Sequence, residues 1–276
     1  MDHQEDDRVT MTSGWAVLPA LMYHSVSAVG GPMRDLAVPP QLLREQLSAL
    51  SEAGYRLVGL TEALDLLDHG STEKLLAVTF DDGYRDFLTE GVPILKETGT
   101  GATLYASVGH LGGTAGWLGQ WAPDFGPMLT WDELAEVRDA GVEIGNHSMI
   151  HHPLDVLPPG QLRSEIVDSH QQLEQRLQIK VRSFAYPHGY NSRQVRDVVA
   201  STGYDNATEV GRRLHTPGEK RLAVPRLQPT PDHSGPDLVR LVRTGETGLV
   251  PKVKQIAQPG WRVARKVARR FGKNLT

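Results

Sequence analysis

Short apolar segments alternate with amphipathic segments along most of this chain, and that alternation limits its fold more than any other feature. Leu75–Phe80 is apolar at nearly every position, as expected for a strand that is buried on both faces. Residues 40–53 place Leu43, Leu47 and Leu50 on one face of a helix. Strands that alternate with helices in this way are typical of βα repeats, in which the strands run parallel.

Eight segments have the length and apolar character of strands. They span residues 19–24, 55–58, 75–80, 102–108, 142–145, 183–186, 204–208 and 222–227. Helical patterns lie between most of them; Thr61 is predicted to N-cap one, and a capping box at Thr130 and Glu133 opens another. We therefore predict one α/β domain over residues 15–250. Its fold would be a distorted or incomplete (β/α) barrel of about seven to eight parallel strands.

The chain contains no cysteine. This excludes a disulfide framework, a cysteine nucleophile and a thiolate metal site, so any metal ligands must be His, Asp or Glu. No run approaches the roughly 20 apolar residues that span a bilayer. Residues 1–10 are polar and acidic, unlike the start of a secretory signal. We therefore expect the protein to lie in the cytoplasm.

Basic residues are concentrated near the C-terminus. Residues 251–276 hold eight Lys or Arg and no acid, although the whole chain has a net charge of −4. The rest of the chain is therefore acidic, which argues against nucleic acid as a partner. Trp261, Phe271 and Leu275 share one helical stripe in this basic amphipathic tail. Two interpretations stay open: the stripe docks on the acidic body, or the tail makes peripheral contact with an anionic membrane.

Polar side chains stand at the C-terminal ends of several predicted strands. Asp81 and Asp82 follow the third strand, His147 the fifth and His188 the sixth, while His24 ends the first. In a barrel of parallel strands these ends meet at the mouth, where the loops build the active site. The recurrence of such residues at one end predicts a site there.

The histidines offer ligands for a metal ion. His147 and His151 are four positions apart, so one helical turn would bring them to a single ion, with His152 as a rival second ligand. Adjacent buried carboxylates repel each other, so without a cation Asp82 is best interpreted as part of a turn. With a bound cation, Asp82 would be a metal ligand and Asp81 would be free to act as the base in hydrolysis.

Three motifs carry a resemblance to a known family. Residues 79–83, 147–151 and 184–189 resemble, in order, the first three motifs of the polysaccharide deacetylases. These enzymes form family four of the carbohydrate esterases and share the nodulation-type deacetylase homology domain. The resemblance covers most of the body and implies a distorted (β/α) barrel that holds a divalent ion. It also implies the hydrolysis of N-acetyl groups on amino sugars, with an N-acetylated saccharide as the substrate.

The resemblance assigns roles by position. Asp81 would be the catalytic base, and Asp82, His147 and His151 would hold the metal. The main-chain N–H of Tyr186 would help to stabilise the oxyanion. The ion would usually be zinc, although cobalt, manganese, nickel or iron suit the same ligands.

The chain departs from the family pattern at two places. The family often has an arginine at Ala185 that orients the catalytic aspartate, and we predict that Arg226 supplies this charge from another strand. The late motif that provides the general acid is not recognisable. Residues 21–26 resemble the first strand of an exopolysaccharide-deacetylase branch, which favours His24 as the general acid.

Two further questions stay open. The glycine-rich segment 109–128 holds Trp117 and Trp121, which either stack on sugar rings or pack the loop on the body. The fold also admits hydrolysis of another amide bond, or a module that binds a metal or a carbohydrate without turnover. Asp81 argues against such a module, because binding needs no free base, whereas Ala185 argues for it.

Overall fold

The computed structural model describes residues 17–245. The predicted tail of residues 251–276 and both ends of the predicted domain lie outside the described residues. Within them, all eight predicted strands are present, and no bound is shifted by more than two residues. They are β1 Ala20–Tyr23, β2 Arg56–Val58, β3 Leu75–Phe80, β4 Thr103–Ala106, β5 Glu143–Asn146, β6 Ser183–Ala185, β7 Asn206–Glu209 and β8 Val224–Pro225.

The strands form one parallel sheet that curves into a barrel. Seven of them pair in the order β1-β3-β4-β5-β6-β7-β8, and β2 pairs with the start of β3. The segment after β8 nearly closes the ring, because Leu227 exchanges hydrogen bonds with β1 at Ala20 and Met22, each 2.8 Å long. The predicted distorted (β/α) barrel is therefore confirmed.

Helices cover the outside of the barrel. They are α1 Pro40–Glu52, α2 Leu60–Asp68, α3 Val92–Thr98, α4 Trp131–Asp139, α5 Pro159–Arg163, α6 Ser169–Leu177, α7 Arg193–Thr202 and α8 Gly235–Thr244. A π-helical turn, Ser164–Asp168, joins α5 to α6. The main core lies between these helices and the sheet; Leu43, Leu47 and Leu50 of α1 belong to it, as predicted.

Two predictions about helix starts had different outcomes. The capping box of Thr130 and Glu133 is present at α4. The prediction that Thr61 caps α2 is wrong, because Gly59 is the N-cap residue and Thr61 lies inside the helix. Its hydroxyl instead donates a hydrogen bond to Glu143 on β5. Among residues 17–245, no helix is both long and apolar enough to cross a membrane.

Candidate metal centre and active site

The C-terminal ends of the strands surround a cavity of about 180 Å³. It lies at the mouth of the barrel, where the predicted polar residues converge. Its polar lining is His24, Asp81, Asp82, His147, His151, His188 and Gln228. Its apolar and aromatic lining is Met22, Leu36, Trp117, Leu118, Tyr186 and Val210.

Asp82, His147 and His151 come together as a compact group. One atom from each lies within 4.8 Å of the others. Asp82 Oδ1 lies 3.4 Å from His147 Nε2 and 3.4 Å from His151 Nε2. All three residues are buried. Of the residues in the described part of the chain, these form the one group with this arrangement of potential ligands.

The geometry of this group fits a divalent cation. In tetrahedral coordination with ligand bonds of about 2.1 Å, neighbouring ligand atoms lie about 3.4 Å apart. Asp82 Oδ1 is buried and accepts no hydrogen bond from the described residues. No donor among them therefore balances the negative charge of this oxygen beside the two imidazole rings. A buried carboxylate oxygen without a partner is costly, and a cation between these atoms would neutralise its charge.

The local backbone explains how neighbouring carboxylates separate. Asp82 and Gly83 both have left-handed φ angles, +78° and +90°. Aspartate tolerates this conformation better than most residues, and glycine adopts it freely. The turn sends the Asp81 side chain toward Arg226 and the Asp82 side chain toward the histidines. Ser107 fixes the turn, because its N–H donates to the carbonyl of Asp82 at 3.1 Å.

The histidines do not share a helical turn, so that part of the prediction is wrong. Residues 147–152 form an irregular loop in which Ser148 and His151 have φ angles of +69° and +59°. His147 is nevertheless well oriented. Its Nδ1 lies 2.8 Å from the carbonyl of Ala185, and because a carbonyl can only accept, Nδ1 must carry the proton. The lone pair of Nε2 is then available to a metal.

His152 lies away from the metal group. Its Nδ1 is 3.0 Å from Glu165 Oε1, and its side chain is 42% exposed. The other oxygen of Glu165 accepts hydrogen bonds from the main-chain N–H groups of Met149 and Ile150, both 3.0 Å long. Glu165 therefore holds the loop that carries His151. Sequence reasoning missed this residue, since a single glutamate on a helix gives no local signal.

The charge environment differs between the two histidines of the metal group. Burial and the nearby rings of His147 and His188 lower the pKa of His151 well below its ordinary value, which keeps His151 neutral. Burial also lowers the pKa of His147, but the charges of Asp81 and Asp82 outweigh it and raise the pKa overall. Neutral imidazole is the form that binds metals, and the negative potential at His147 attracts cations.

Arg226 reaches Asp81 from the segment after β8. Its Nη1 and Nη2 donate to Oδ1 and Oδ2 of Asp81 at 2.6 and 2.7 Å. Burial alone would raise the pKa of Asp81, but Arg226 and His147 outweigh it and lower this pKa. Asp81 therefore stays ionised, as a base must. The predicted pairing of Arg226 with Asp81 is thus present in the structure. Arg226 provides the positive charge that Ala185 cannot.

Arg226 is held by the interior of the barrel. Its Nη1 also donates to Thr79 Oγ1 at 2.9 Å, and its guanidinium lies 5.6 Å from the ring centre of Tyr105. That ring passes directly over Gly145, where a Cβ would lie only 2.4 Å from it. Gly145 therefore leaves room for the tyrosine, whose hydroxyl is 2.6 Å from Ser183 Oγ.

His24 and Tyr186 both line the cavity. Burial lowers the pKa of His24, and this effect outweighs the charges of Asp82 and Asp81, which raise it. The predicted role of the Tyr186 main chain is not supported. Its N–H donates to the carbonyl of Thr208 at 3.1 Å, as part of the pairing between β6 and β7, and so it is not directed at a substrate.

The two tryptophans of segment 109–128 differ in position. Trp117 lines the cavity and stacks on His151, with ring centres 4.4 Å apart and an interplanar angle of 22°. Trp121 is partly buried and is absent from the cavity lining. The aromatic contact with a metal-group histidine was not predicted from the sequence.

Comparison with known proteins identifies the family. The sequence profile named polysaccharide deacetylase matches residues 68–207, about half of the chain. This range includes the turn at Asp81 and Asp82, the loop with His147 and His151, and the segment at Tyr186. The chain belongs to the polysaccharide deacetylase family, and its activity is that of a deacetylase, a hydrolase.

Curated relatives agree with this assignment. YxkH of Bacillus subtilis (strain 168), assigned to the polysaccharide deacetylases, is 30% identical over 245 residues, which cover 84% of this chain and 79% of the relative. The poly-β-1,6-N-acetyl-D-glucosamine N-deacetylase of Escherichia coli (strain K12) is 31% identical over 140 residues. That match covers 48% of this chain and only 21% of the E. coli enzyme.

A solved structure has the same fold. The Streptococcus pyogenes deacetylase PplD, determined in complex with acetate, superposes with a TM-score of 0.70. The two chains are 24% identical, and the superposition covers 84% of this chain and 99% of PplD. At this level of identity the likeness establishes the architecture of the barrel.

Proposed function

We propose that this protein is a metal-dependent deacetylase that removes acetyl groups from N-acetylated amino sugars. One observation carries the proposal: an ionised carboxylate, Asp81, stands beside a separate group of metal ligands. His147 Nε2 is 3.4 Å from Asp82 and 3.9 Å from Asp81, so one ring borders both carboxylates. A site that only binds a metal needs no second carboxylate held ionised by Arg226.

The residues divide the reaction between them. Asp82, His147 and His151 would hold the ion, which when bound supplies a Lewis acid that polarises the acetyl carbonyl and acidifies water. Asp81 accepts the proton of the attacking water as the new C–O bond forms. Arg226 keeps Asp81 ionised and in place through its two hydrogen bonds.

His24 is the proposed general acid. It shares the cavity with Asp81, and the C–N bond breaks when the departing nitrogen takes up a proton. The lowered pKa of His24 makes its protonated form a stronger acid, although a smaller fraction of molecules carries that proton. The products are acetate and a free amine on the sugar.

The shape of the cavity supports a small acyl group beside a sugar. Leu36, Leu118 and Val210 line the same cavity as the polar residues of the metal centre and give part of it an apolar surface. A volume of about 180 Å³ is smaller than the cavities of about 300–1,000 Å³ that enclose drug-sized ligands. We infer that the cavity holds one N-acetylated ring, with any further sugars outside it.

The substrate class follows from this cavity and from the relatives. The E. coli relative acts on poly-β-1,6-N-acetyl-D-glucosamine, and we propose an N-acetylglucosamine oligomer or polymer for this chain as well. The cytoplasmic location expected from the sequence stays a prediction, and it would favour a biosynthetic saccharide. Zinc is the proposed ion because histidine and carboxylate ligands suit it.

The proposal is tested by acetate release from a panel of N-acetylglucosamine substrates. The panel contains β-1,6-linked and β-1,4-linked oligomers, together with nucleotide-linked and lipid-linked sugars. We expect release from at least one oligomer, and its loss in an Asp81→Asn variant that still binds zinc. Zinc binding without acetate from any substrate would contradict the proposal and favour another amide as the substrate.

A further inference from the structure

The two metal-group histidines differ in how their rings are held. His147 is fixed by a hydrogen bond from Nδ1 to the carbonyl of Ala185. His151 Nδ1 is buried and has no hydrogen-bond partner among residues 17–245. Ligand histidines normally use the second ring nitrogen to fix their orientation. The ring of His151 must therefore be oriented by packing.

That packing is aromatic. Trp117 lies flat on the ring of His151, with centres 4.4 Å apart and an angle of 22°. His147 and His188 approach the same ring edge-on, at 4.8 and 4.6 Å and angles of 69°. A flat contact fixes the plane of a ring, and the edge contacts limit its rotation within that plane.

Trp117 is itself supported. The ring of His110 meets it edge-on at 4.7 Å, and His110 Nδ1 lies 3.1 Å from the carbonyl of Thr114. Trp117 also packs against a small separate core above the barrel, which gives it a fixed position. The buried members of that core are Ala37, Tyr84, Ala115, Phe125 and Met128.

We propose that Trp117 is a positioning residue for the metal centre, which holds His151 in the orientation that binds the ion. This inference rests on the proposed metal-dependent function. It assigns the segment 109–128 a role in metal affinity, in place of the carbohydrate stacking considered from the sequence. One face of Trp117 is already occupied by His151, which limits its use as a platform for a sugar ring.

The test is the zinc affinity of the 276-residue chain, measured by competition with a chromophoric chelator. Residues outside the ligand set that orient a ligand typically change metal affinity by about 10–100-fold. We expect Trp117→Ala to weaken zinc binding by about this factor. Trp117→Phe retains a flat ring and should stay within about threefold of the unaltered protein. Trp121→Ala is the matched control from the same segment and should leave the affinity unchanged.

A spectroscopic measurement separates positioning from a general loss of structure. Cobalt bound in place of zinc gives visible absorption bands that report on ligand geometry. Trp117→Ala should change these bands at full cobalt occupancy, whereas Trp117→Phe and Trp121→Ala should preserve them. Cobalt should also quench the fluorescence of Trp117, so the Phe variant should lose this part of the quenching.

The outcomes distinguish this inference from the proposed function. If Trp117→Ala binds zinc as tightly as the unaltered protein and gives the same cobalt spectrum, the inference is wrong. A rise in KM alone, with unchanged metal affinity, would likewise overturn it in favour of sugar stacking. If the unaltered protein binds neither zinc nor cobalt, the proposed function itself fails.

Discussion

Arg226 and Asp81 are 145 positions apart in the sequence and form a two-pronged ion pair in the interior of the barrel. The two side chains are 0% and 3% exposed. A buried charge without its partner is strongly destabilising, so each side chain depends on the other. Arg226 therefore supplies the positive charge beside Asp81 that the family pattern often places at position 185.

Arg226 is therefore predicted to matter for both stability and turnover. Replacing Arg226 by Met leaves Asp81 buried without a partner and should lower the free energy of unfolding by about 3–5 kcal/mol. Arg226→Lys keeps a charge but loses the two-pronged contact, and should reduce kcat by about 10–100-fold with zinc still bound. Urea unfolding, zinc content and acetate release measure these effects.

An exposed pair provides the control. Arg44 and Glu97 form a salt bridge at the surface, with side chains 35% and 55% exposed. Arg44→Lys should change the free energy of unfolding by less than about 0.5 kcal/mol. The importance given to Arg226 would be wrong if Arg226→Lys behaved like Arg44→Lys in both stability and kcat.

His24 is predicted to act on the leaving group. A sugar amine must be protonated as it departs, whereas 4-nitrophenolate leaves without a proton. His24→Ala should therefore lose about 100-fold or more in kcat on an N-acetylated oligomer but keep most of its activity on 4-nitrophenyl acetate. Asp81→Asn should lose activity on both substrates, because each reaction needs the base. Equal losses of His24→Ala on both substrates would argue against a general acid.

The choice between His151 and His152 can be tested by metal content. His151→Ala removes a ligand of the buried group and should abolish retention of zinc through gel filtration. His152→Ala removes a half-exposed partner of Glu165 and should retain one zinc ion per chain, at a stability cost of about 1 kcal/mol or less. Loss of zinc in His152→Ala together with retention in His151→Ala would reverse the assignment.

A cluster away from the site predicts a dependence of stability on pH. Asp65 on α2 accepts hydrogen bonds from Arg182 and Arg221 at 2.8 and 3.3 Å. Burial raises the pKa of Asp65, but these two arginines outweigh it and hold the pKa below its ordinary value of 3.8. A lowered pKa in the folded state stabilises the protein above the unfolded value, and the contribution is lost as the pH falls.

Asp65→Asn should therefore lower the free energy of unfolding at neutral pH. The difference from the unaltered protein should be constant above about pH 5 and shrink as the pH falls through 3.8 and below. Urea unfolding at several pH values measures this difference. Asp139→Asn, at an exposed carboxylate beside Arg138, is the control, with little effect at any pH. A difference that grows toward acid pH would contradict the sign derived for Asp65.

The fold was largely predictable from local patterns. Strand β3 and its neighbours are apolar runs separated by helical patterns, and the hydrophobic effect alone places such runs in a buried sheet. The N-cap of α2 was not predictable in the same way. Thr61 has the residue type of a cap, but its hydroxyl bonds to Glu143 on β5, and this contact exists only after the barrel closes.

The site was predictable in its residues and less so in its geometry. Asp82, His147 and His151 were chosen as ligands from their chemistry and motifs, yet their meeting depends on left-handed residues such as Ser148 rather than on a helical turn. The family resemblance assigned the N–H of Tyr186 to the oxyanion. The structure pairs this N–H with Thr208 instead, and that pairing depends on the register of β6 and β7, which the sequence does not show. The contact between Trp117 and His151 was not predicted, because no local sequence pattern indicates it.

The central claim is that one ion held by Asp82, His147 and His151 is required for deacetylation. The most direct measurement is acetate release from one N-acetylglucosamine oligomer by a single preparation, before chelation, after chelation and after zinc is returned. We predict that activity disappears with the metal and returns when about one zinc ion binds per chain. Full activity in protein shown to be free of metal would contradict the account.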